Sequence, residues 1–451
     1  MPPLHPALAA IREAGAAKVK VACSDIDGVL RGKYLHRDKF EGAAQSGFGF
    51  CDVVFGWDCG DVTYDNAQVT GWQHGFPDAL ARLDLDTHRQ VPWDGNVDFF
   101  LGEFVNADGT PYPVCPRQTL KRVLKRAEKL GFQVMAGMEY EWFNFRETSQ
   151  SWAAKQGVAP EPITPGMFGY SLLRVSQHRE FFNALMDEMA AFRVPIEGLH
   201  TETGPGVYEA AIAFSEALEQ ADRAILFKTG AKEIGMRFGI MPSFMAKWSA
   251  RYPGCSGHIH QSLSDGQANL FHDGTSSRGM SALFESYVAG QVACLLEFAP
   301  MFWPTINSYK RLVDGFWAPV KPTWGIDNRT ASFRVLAGSP KSTRLETRCP
   351  GADVNPYLAM AAVIAAGLHG VEKNLKLTTP PVTGTNQGAD AVPRAPRTLI
   401  ETTRIFRESD IAREWLGDSF VDHFAATRDW EWRQWLDGVT DWELKRYFEI
   451  I

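Results

Sequence analysis

Residues 137–145 read GMEYEWFNF, and two carboxylates, Glu139 and Glu141, stand one residue apart inside an otherwise apolar run. Side chains alternate along a strand, so the two point to the same face. Taken alone, the pair fits a solvent-facing strip on an edge strand. Met138, Tyr140, Trp142 and Phe143 argue differently, because two like charges in apolar surroundings are costly unless a cation lies between them.

The segments around this run group their strands and helices instead of alternating them. Strands are predicted at 132–145, 205–214, 237–247, 257–263, 330–336 and 344–349, and helices at 176–193, 215–235, 278–300, 355–374 and 409–437. Such grouping favours an α+β fold over a doubly wound sheet. Upstream, KVKVACSDIDG (18–28), GFCDVVFG (49–56) and NVDFFLGEF (96–104) make residues 19–104 rich in strands. The period changes in PYPVCPRQTLKRVLKRAEKLG (111–131). Pro116 fits a helix start, Leu120, Val123, Leu124, Ala127 and Leu130 form one stripe, and Gly131 fits the stop. A small N-terminal domain, 1–110, and a large one, 111–451, are expected to meet there. Residues 376–397, rich in Pro, Gly and Thr, read as an exposed loop.

The 451 residues carry a formal charge of −7, which asks for neither a nucleic-acid nor a membrane-surface partner. Seven cysteines are scattered without a CxxC pair and read as reduced thiols. The first residues hold Pro, His and Glu where a signal peptide has an apolar core, and no run approaches the roughly 18 apolar residues of a spanning helix. A cytoplasmic protein is expected.

Other segments add charge. Glu202 and Glu209 flank a Gly/Pro turn in ETGPGVYEAAI (202–212), with Glu197 five residues earlier; a loop and a surface strand would look the same. In CSGHIHQSL (255–263), His258 and His260 share a strand face, as they would beside a metal, beside a phosphate or on a satisfied polar strand. Cys255 does not complete a common zinc spacing. Lys310 and Arg311, then Arg329 and Arg334, then Arg344, Glu346 and Arg348 form a basic cluster, and the last three alone would pass for a surface ion-pair ladder. No P-loop and no nucleotide-type GxGxxG follows a strand. Together, many carboxylates, two histidines and several arginines suggest divalent cations bound to polyphosphate.

In one fixed order the chain carries DIDGVLRGKY (25–34), MEYEWF (138–143), the Glu202/Glu209 turn, FMAKW (244–248), SGHIHQSL (256–263), NSYKRLVDG (307–315), NRTASFRV (328–335), SPKSTRLETR (339–348) and NPYLAMAA (355–362). This set resembles the glutamine synthetase family over nearly the full length. The resemblance implies an N-terminal β-grasp domain and a funnel-shaped catalytic domain around a curved antiparallel sheet. It also implies homo-oligomers of stacked rings (dodecamers) with sites between subunits, and small-molecule substrates: glutamate, an amine and ATP. Matched motif by motif, Glu141, Glu202 and Glu209 would hold one Mg²⁺ or Mn²⁺, and Glu139, His258 and Glu346 a second. Glu197, His260, Ser262, Lys341 and Arg344 fall at ATP-contacting positions. Arg311, Arg348 and Gly257 match glutamate-binding positions, and Arg329 and Arg334 match the arginines that meet the phosphoryl group.

The departures from that pattern are informative. Trp317 stands where ammonia-using members have a catalytic glutamate. FGWDCGD (55–61) replaces the stretch that helps bind ammonium, leaving Asp58 as its nearest equivalent. GCSG (254–257) is one residue short before His258, and NLKLTTPP (374–381) lacks the tyrosine through which some bacterial members are adenylylated. An indole has no basic lone pair, whereas it offers apolar area and a π face to an organic amine. The expectation is therefore a ligase that makes a γ-glutamyl amide from glutamate and an organic amine through γ-glutamyl phosphate. Glutamine synthesis from ammonia is the alternative, and an inactive structural relative a second one; the full set of ligands and arginines speaks against the latter.

Overall fold

The computed structural model describes residues 5–385, 389 and 391–451. The first sheet is built from β1 (Lys18–Ser24), β2 (Leu30–His36), β3 (Phe48–Cys51), β4 (Asp78–Leu83), β5 (Arg89–Val91) and β6 (Val97–Val105). Its order is β2-β1-β6-β4-β3, with β5 on β6. Only β1 and β6 run parallel; every other pair is antiparallel. Phe40 of the helix Arg37–Ser46 packs on Phe100 of β6, at 5.1 Å between ring centres.

The second sheet holds the acidic run. Its strands are β7 (Gln133–Phe145), β8 (Ile196–Thr201), β9 (Val207–Glu216), β10 (Met241–Ser243), β11 (Gly257–Ser264), β12 (Trp324–Ile326), β13 (Phe333–Leu336) and β14 (Arg344–Thr347). They are ordered β12-β13-β14-β11-β7-β9-β8, with β10 on the far end of β7. Register shifts between Ala136 and Met138 and between Ile196 and Gly198 mark irregularities that bend the strands. Mixed helices and curled sheets of this kind confirm the α+β expectation.

On β7 the alternation is as the sequence predicts. Met138, Tyr140 and Trp142 are fully buried, and Tyr140 and Trp142 pack on Phe227 and Phe244. Glu139 and Glu141 face the other way and are half-buried. Behind the sheet, helix Pro356–Glu372 is buried along nearly its whole length. It lies so close to helix Ala282–Cys294 that a Cβ on Gly370 would meet the Ser286 carbonyl at 2.1 Å, and one on Gly290 the Ala366 carbonyl at 2.2 Å.

Helix Pro116–Lys129 buries Leu120, Val123 and Ala127, with Leu124 and Leu130 partly covered. Its Arg117 is buried and ties the first sheet to helix Ala217–Met236. The guanidinium pairs with Asp84 at 2.8 Å, Glu103 at 2.7 Å and Asp222 of helix Ala217–Met236 at 3.0 Å.

Several expectations need correction. The strand predicted at 237–247 is only Met241–Ser243, because Lys247 is clipped through its backbone N–H and C=O to the Asn307 side chain, both at 2.7 Å. The helix predicted at 409–437 breaks at Gly417 (φ +84°) into Asp410–Leu416 and Asp418–Asp437. The one predicted at 278–300 ends at Cys294. Helices Pro6–Ala14, Arg37–Ser46 and Leu399–Glu408 were not expected. Of the loop 376–397, residues 386–388 and 390 lie outside the described residues, and most of the others are exposed.

Candidate active site

Strand register brings the charged residues together. Across β7, β9 and β8, Glu141 lies opposite Glu209, and Glu209 opposite His200. In the other direction Glu139 lies opposite His258, His260 opposite Glu346, and Glu346 opposite Arg334. Six strands thus carry one band of ionisable side chains along a single face.

One half of the band is acidic. Glu202, at the mouth of the β8–β9 turn, and Glu209 lie 3.6 and 3.7 Å from the His200 imidazole. Glu141 accepts a 2.8 Å hydrogen bond from the Ser256 N–H. Burial, then the charges of Glu141, Glu139 and Glu202, push the Glu209 carboxyl up to about 9. Burial would also raise Glu202, but the nearby His200 imidazole and hydrogen bonds from Thr203 hold it below the ordinary value. Glu202 Oε2 and His200 Nε2 are buried without a hydrogen-bond partner.

The other half is compensated. His258 Nδ1 lies 3.5 Å from Glu139 and 3.4 Å from Glu346, and His260 Nε2 lies 3.0 Å from Glu139. Burial opposes ionisation of Glu139, yet the His260 and His258 imidazoles outweigh it and hold this carboxyl well below its usual range. Glu346 is buried but is pulled down to about 2 by Arg348, His258 and His260. Arg334 grips Glu346 at 2.8 Å and Asp327 at 2.5 Å, and Arg348 grips the other Glu346 oxygen. His258 Nε2 has no hydrogen-bond partner.

These residues fit divalent cations. Donor atoms of Glu139, His260 and Glu346 lie within 4.8 Å of one another, and so do those of His200, Glu202 and Glu209. The carboxylate that burial and neighbouring charges keep protonated, and the partnerless Glu202 oxygen, are the stresses that a hard cation with oxygen ligands would relieve. His200, which sequence reasoning missed, joins the acidic group. Its only signal was its position two residues before Glu202 on the same strand face. Tyr170, also missed, stacks on His200 at 4.3 Å. Its hydroxyl titrates high, through burial and then Glu202 and Glu209, with Arg329 opposing.

Glu197, His260, Ser262, Lys341 and Arg344 all line one cleft of about 280 Å³ that begins at Glu139. Arg344 Nε donates to His260 Nδ1 at 3.0 Å. Phe214, missed in the sequence, projects into the same cleft with an exposed ring. Arg311 is buried and donates to the carbonyls of Cys349 and Arg348 and to the Ser256 hydroxyl, with no carboxylate among its partners. Arg348 Nε donates to the Arg329 carbonyl, while the Arg329 side chain is exposed. The Gly257 N–H is committed to the Pro350 carbonyl, and a Cβ there would meet the Gly351 carbonyl at 2.7 Å, so close backbone approach accounts for the glycine.

Two expected residues stand apart. Trp317 is 59% exposed at φ +64° on the loop after Arg311. Asp58 accepts hydrogen bonds from Gly60, Val62 and the Trp430 indole, and none of these partners belongs to the carboxylate band.

Residues 113–447 match the glutamine synthetase catalytic domain. Type-1 glutamine synthetase 2 of Dictyostelium discoideum is 54% identical over 96% of this chain and 84% of its own length. The glutamate–isopropylamine ligase of a Pseudomonas species is 36% identical over 96% of this chain and 95% of its own. The gamma-glutamylethanolamide synthetase GlnA4 of Streptomyces coelicolor is also 36% identical, over 96% and 92%. Among solved structures, a GmaS–ADP complex superposes with a TM-score of 0.86 at 25% identity, covering 99% of this chain and all of that one. The chain therefore belongs to the glutamine synthetase family and is an ATP-dependent ligase of the glutamate–ammonia or glutamate–amine type.

Proposed function

We propose that the protein joins glutamate to an organic amine, making a γ-glutamyl amide. Trp317 carries this reading. Ammonia is almost wholly ammonium at neutral pH, and a carboxylate both attracts that cation and takes its proton. An indole cannot take the proton, and its apolar area and π face suit a substituent on nitrogen. Asp314, the acidic residue nearest along the loop, is already paired with Arg394. The Tyr170 ring beside Glu202 and Glu209 adds apolar surface of the same kind.

In this reading a γ-carboxylate oxygen of glutamate attacks the terminal phosphorus of ATP, the bond to the bridging oxygen breaks, and ADP leaves. The amine nitrogen then attacks the acyl carbon, inorganic phosphate departs, and the nitrogen loses a proton. Arg311 and Arg348, with Gly257 beside them, hold glutamate; Arg329 and Arg334 meet the charge that builds on the phosphoryl oxygens. Glu197, His260, Ser262, Lys341 and Arg344 hold the nucleotide. Glu139, Glu141, Glu202, Glu209, His258 and Glu346 would hold Mg²⁺ or Mn²⁺, which when bound supplies charge neutralisation to the phosphates. Asp58 serves only if a neighbouring copy contributes it, so we assign the protein a ring-shaped homo-oligomer, with domains 1–110 and 111–451, in the cytoplasm. Sedimentation tests this; an active monomer refutes shared sites.

The second reading is glutamine synthesis, favoured by the name of the Dictyostelium relative. Turnover with ATP, Mg²⁺, glutamate and a panel holding ammonium, isopropylamine and ethanolamine, scored by mass spectrometry, separates the two. The highest kcat/KM is expected with an organic amine. Ammonium as the best substrate overturns the proposal.

A further inference from the structure

A second cavity lies beside the start of the loop that follows Arg311. It holds about 660 Å³ and is walled by Trp248, Trp432, Trp435, Tyr309 and Leu312. That volume falls in the range of small-molecule sites. Its charge is one-sided: Lys247, Lys310 and Arg397 line it, and no Asp or Glu does. None of the three cations has an ion-pair partner among the described residues.

Two of its donors are stranded. Lys247 is only 6% exposed, and its Nζ is shut off from water without a hydrogen-bond partner. Nζ lies over the Phe316 ring, 4.4 Å from the ring centre. The Trp248 indole N–H is likewise buried and without an acceptor. An unmatched buried donor costs its full desolvation, and a buried cation costs more. The backbone clip between Lys247 and Asn307 fixes where the lysine stem starts, so the unmatched ammonium is built into the fold.

We propose that this cavity binds an organic carboxylate with an aromatic body. The carboxylate supplies the acceptor that Lys247 and Trp248 lack and balances Lys310 and Arg397, while the indoles of Trp432 and Trp435, packed on each other at 5.0 Å, give the ring an aromatic wall. Burial lowers the Lys247 ammonium, with Arg311 adding to the effect, and a bound anion reverses this. Leu312 and Val313, on the cavity wall, start the loop that carries Trp317, and Lys247 touches that loop through Phe316. Occupancy therefore draws Lys247 off Phe316 and alters how the loop is held. The site stands on these donors alone and is independent of which amine the enzyme uses.

The probes are phenylacetate and indole-3-acetate, with acetate as an anion lacking a ring and benzylamine as a ring lacking the anion. Calorimetric titration into the full-length protein is expected to give saturable binding of the two aromatic carboxylates and little of either control. Lys247→Met should weaken binding about tenfold or more, as loss of a charge-assisted contact does. Arg397→Gln, at an exposed position, should weaken it about threefold, so the proposal stays testable if the Lys247 variant does not fold. Circular dichroism checks both variants. Equal binding of acetate would reduce the site to a simple anion hole, and equal binding of benzylamine to an apolar slot. Either result overturns the proposal, as does undiminished phenylacetate binding in both folded variants, or no binding to the wild type.

Discussion

Glu141 on β7 lies directly opposite Glu209 on β9, on the same face that carries Glu139. Facing carboxylates repel, and burial makes the repulsion stronger. The Glu209 carboxyl is accordingly pushed up to about 9 from an ordinary value of 4.5.

The sign of its effect on stability follows by linkage. A carboxyl raised in the folded state helps folding while it stays protonated. Its contribution is complete below about pH 4.5 and is lost as pH rises towards 9. In chelator, this group makes melting temperature fall across that interval. Adding Mg²⁺ or Mn²⁺ should raise it most at the alkaline end and release protons. Glu209→Gln should flatten the dependence in chelator, lift the metal-free melting temperature by a few degrees, and abolish metal-dependent ATP turnover. Scanning calorimetry with and without metal reads all of this; a Glu209→Gln variant that keeps metal-dependent turnover would remove Glu209 from the ligand set.

Arg117 gives a larger effect away from the site. Its guanidinium is buried against Asp84, Glu103 and Asp222, and Asp222 also accepts from the Tyr357 hydroxyl at 2.6 Å. Arg117→Ala would leave buried carboxylates facing one another between the first sheet and helix Ala217–Met236. A loss of about 3–5 kcal/mol is expected, as for other broken buried pairs. Urea denaturation measures it, and a loss below about 1 kcal/mol would show that Lys121, paired with Glu103 at 2.6 Å, takes over.

Phe214 stands in the nucleotide cleft with its ring exposed. If adenine stacks there, Phe214→Ala should raise KM for ATP about tenfold, within the range of base–aromatic stacking, and leave kcat close to wild type. A change in kcat alone would place the ring outside the nucleotide's reach.

What the sequence made legible was set by strand periodicity. Glu139 and Glu141, His258 and His260, and Arg344 and Glu346 each sit two apart on one strand, with Arg348 just past the end of β14, and the structure brings the carboxylates, histidines and Arg344 onto one band. His200 escaped because its partner Glu209 comes from another strand, and only register places them together. Tyr170 and Phe214 escaped for a related reason, since their roles rest on what faces them and not on their neighbours in sequence. The helix break at Gly417 escaped because the apolar period runs through it, and a left-handed φ is not visible in spacing. The strand expected at 237–247 failed because a side chain 60 residues away, Asn307, takes the backbone groups of Lys247 that a strand partner would use.

His423 supplies the acid limit of the fold. It lies on helix Asp418–Asp437, only 2% exposed, beside Phe55 in the turn that follows β3. Burial holds its imidazole down to about 4 from an ordinary 6.5, the Arg428 cation adds to this, and the Phe55 backbone opposes it. The unfolded chain therefore takes up a proton between pH 6.5 and 4 that the folded chain refuses, so this histidine favours unfolding progressively as pH falls through that window. Each pH unit inside the window costs up to about 1.4 kcal/mol. With Mg²⁺ present, so that the opposing Glu209 proton is displaced, unfolding of the wild type in urea at pH 7, 6 and 5 should show that decline. His423→Phe removes the titration while keeping an aromatic ring of similar size, and should lower the slope between pH 6.5 and 5 by about one proton's worth even if it shifts stability at pH 7. An unchanged slope in His423→Phe would assign the acid sensitivity to other groups and return His423 to a packing role.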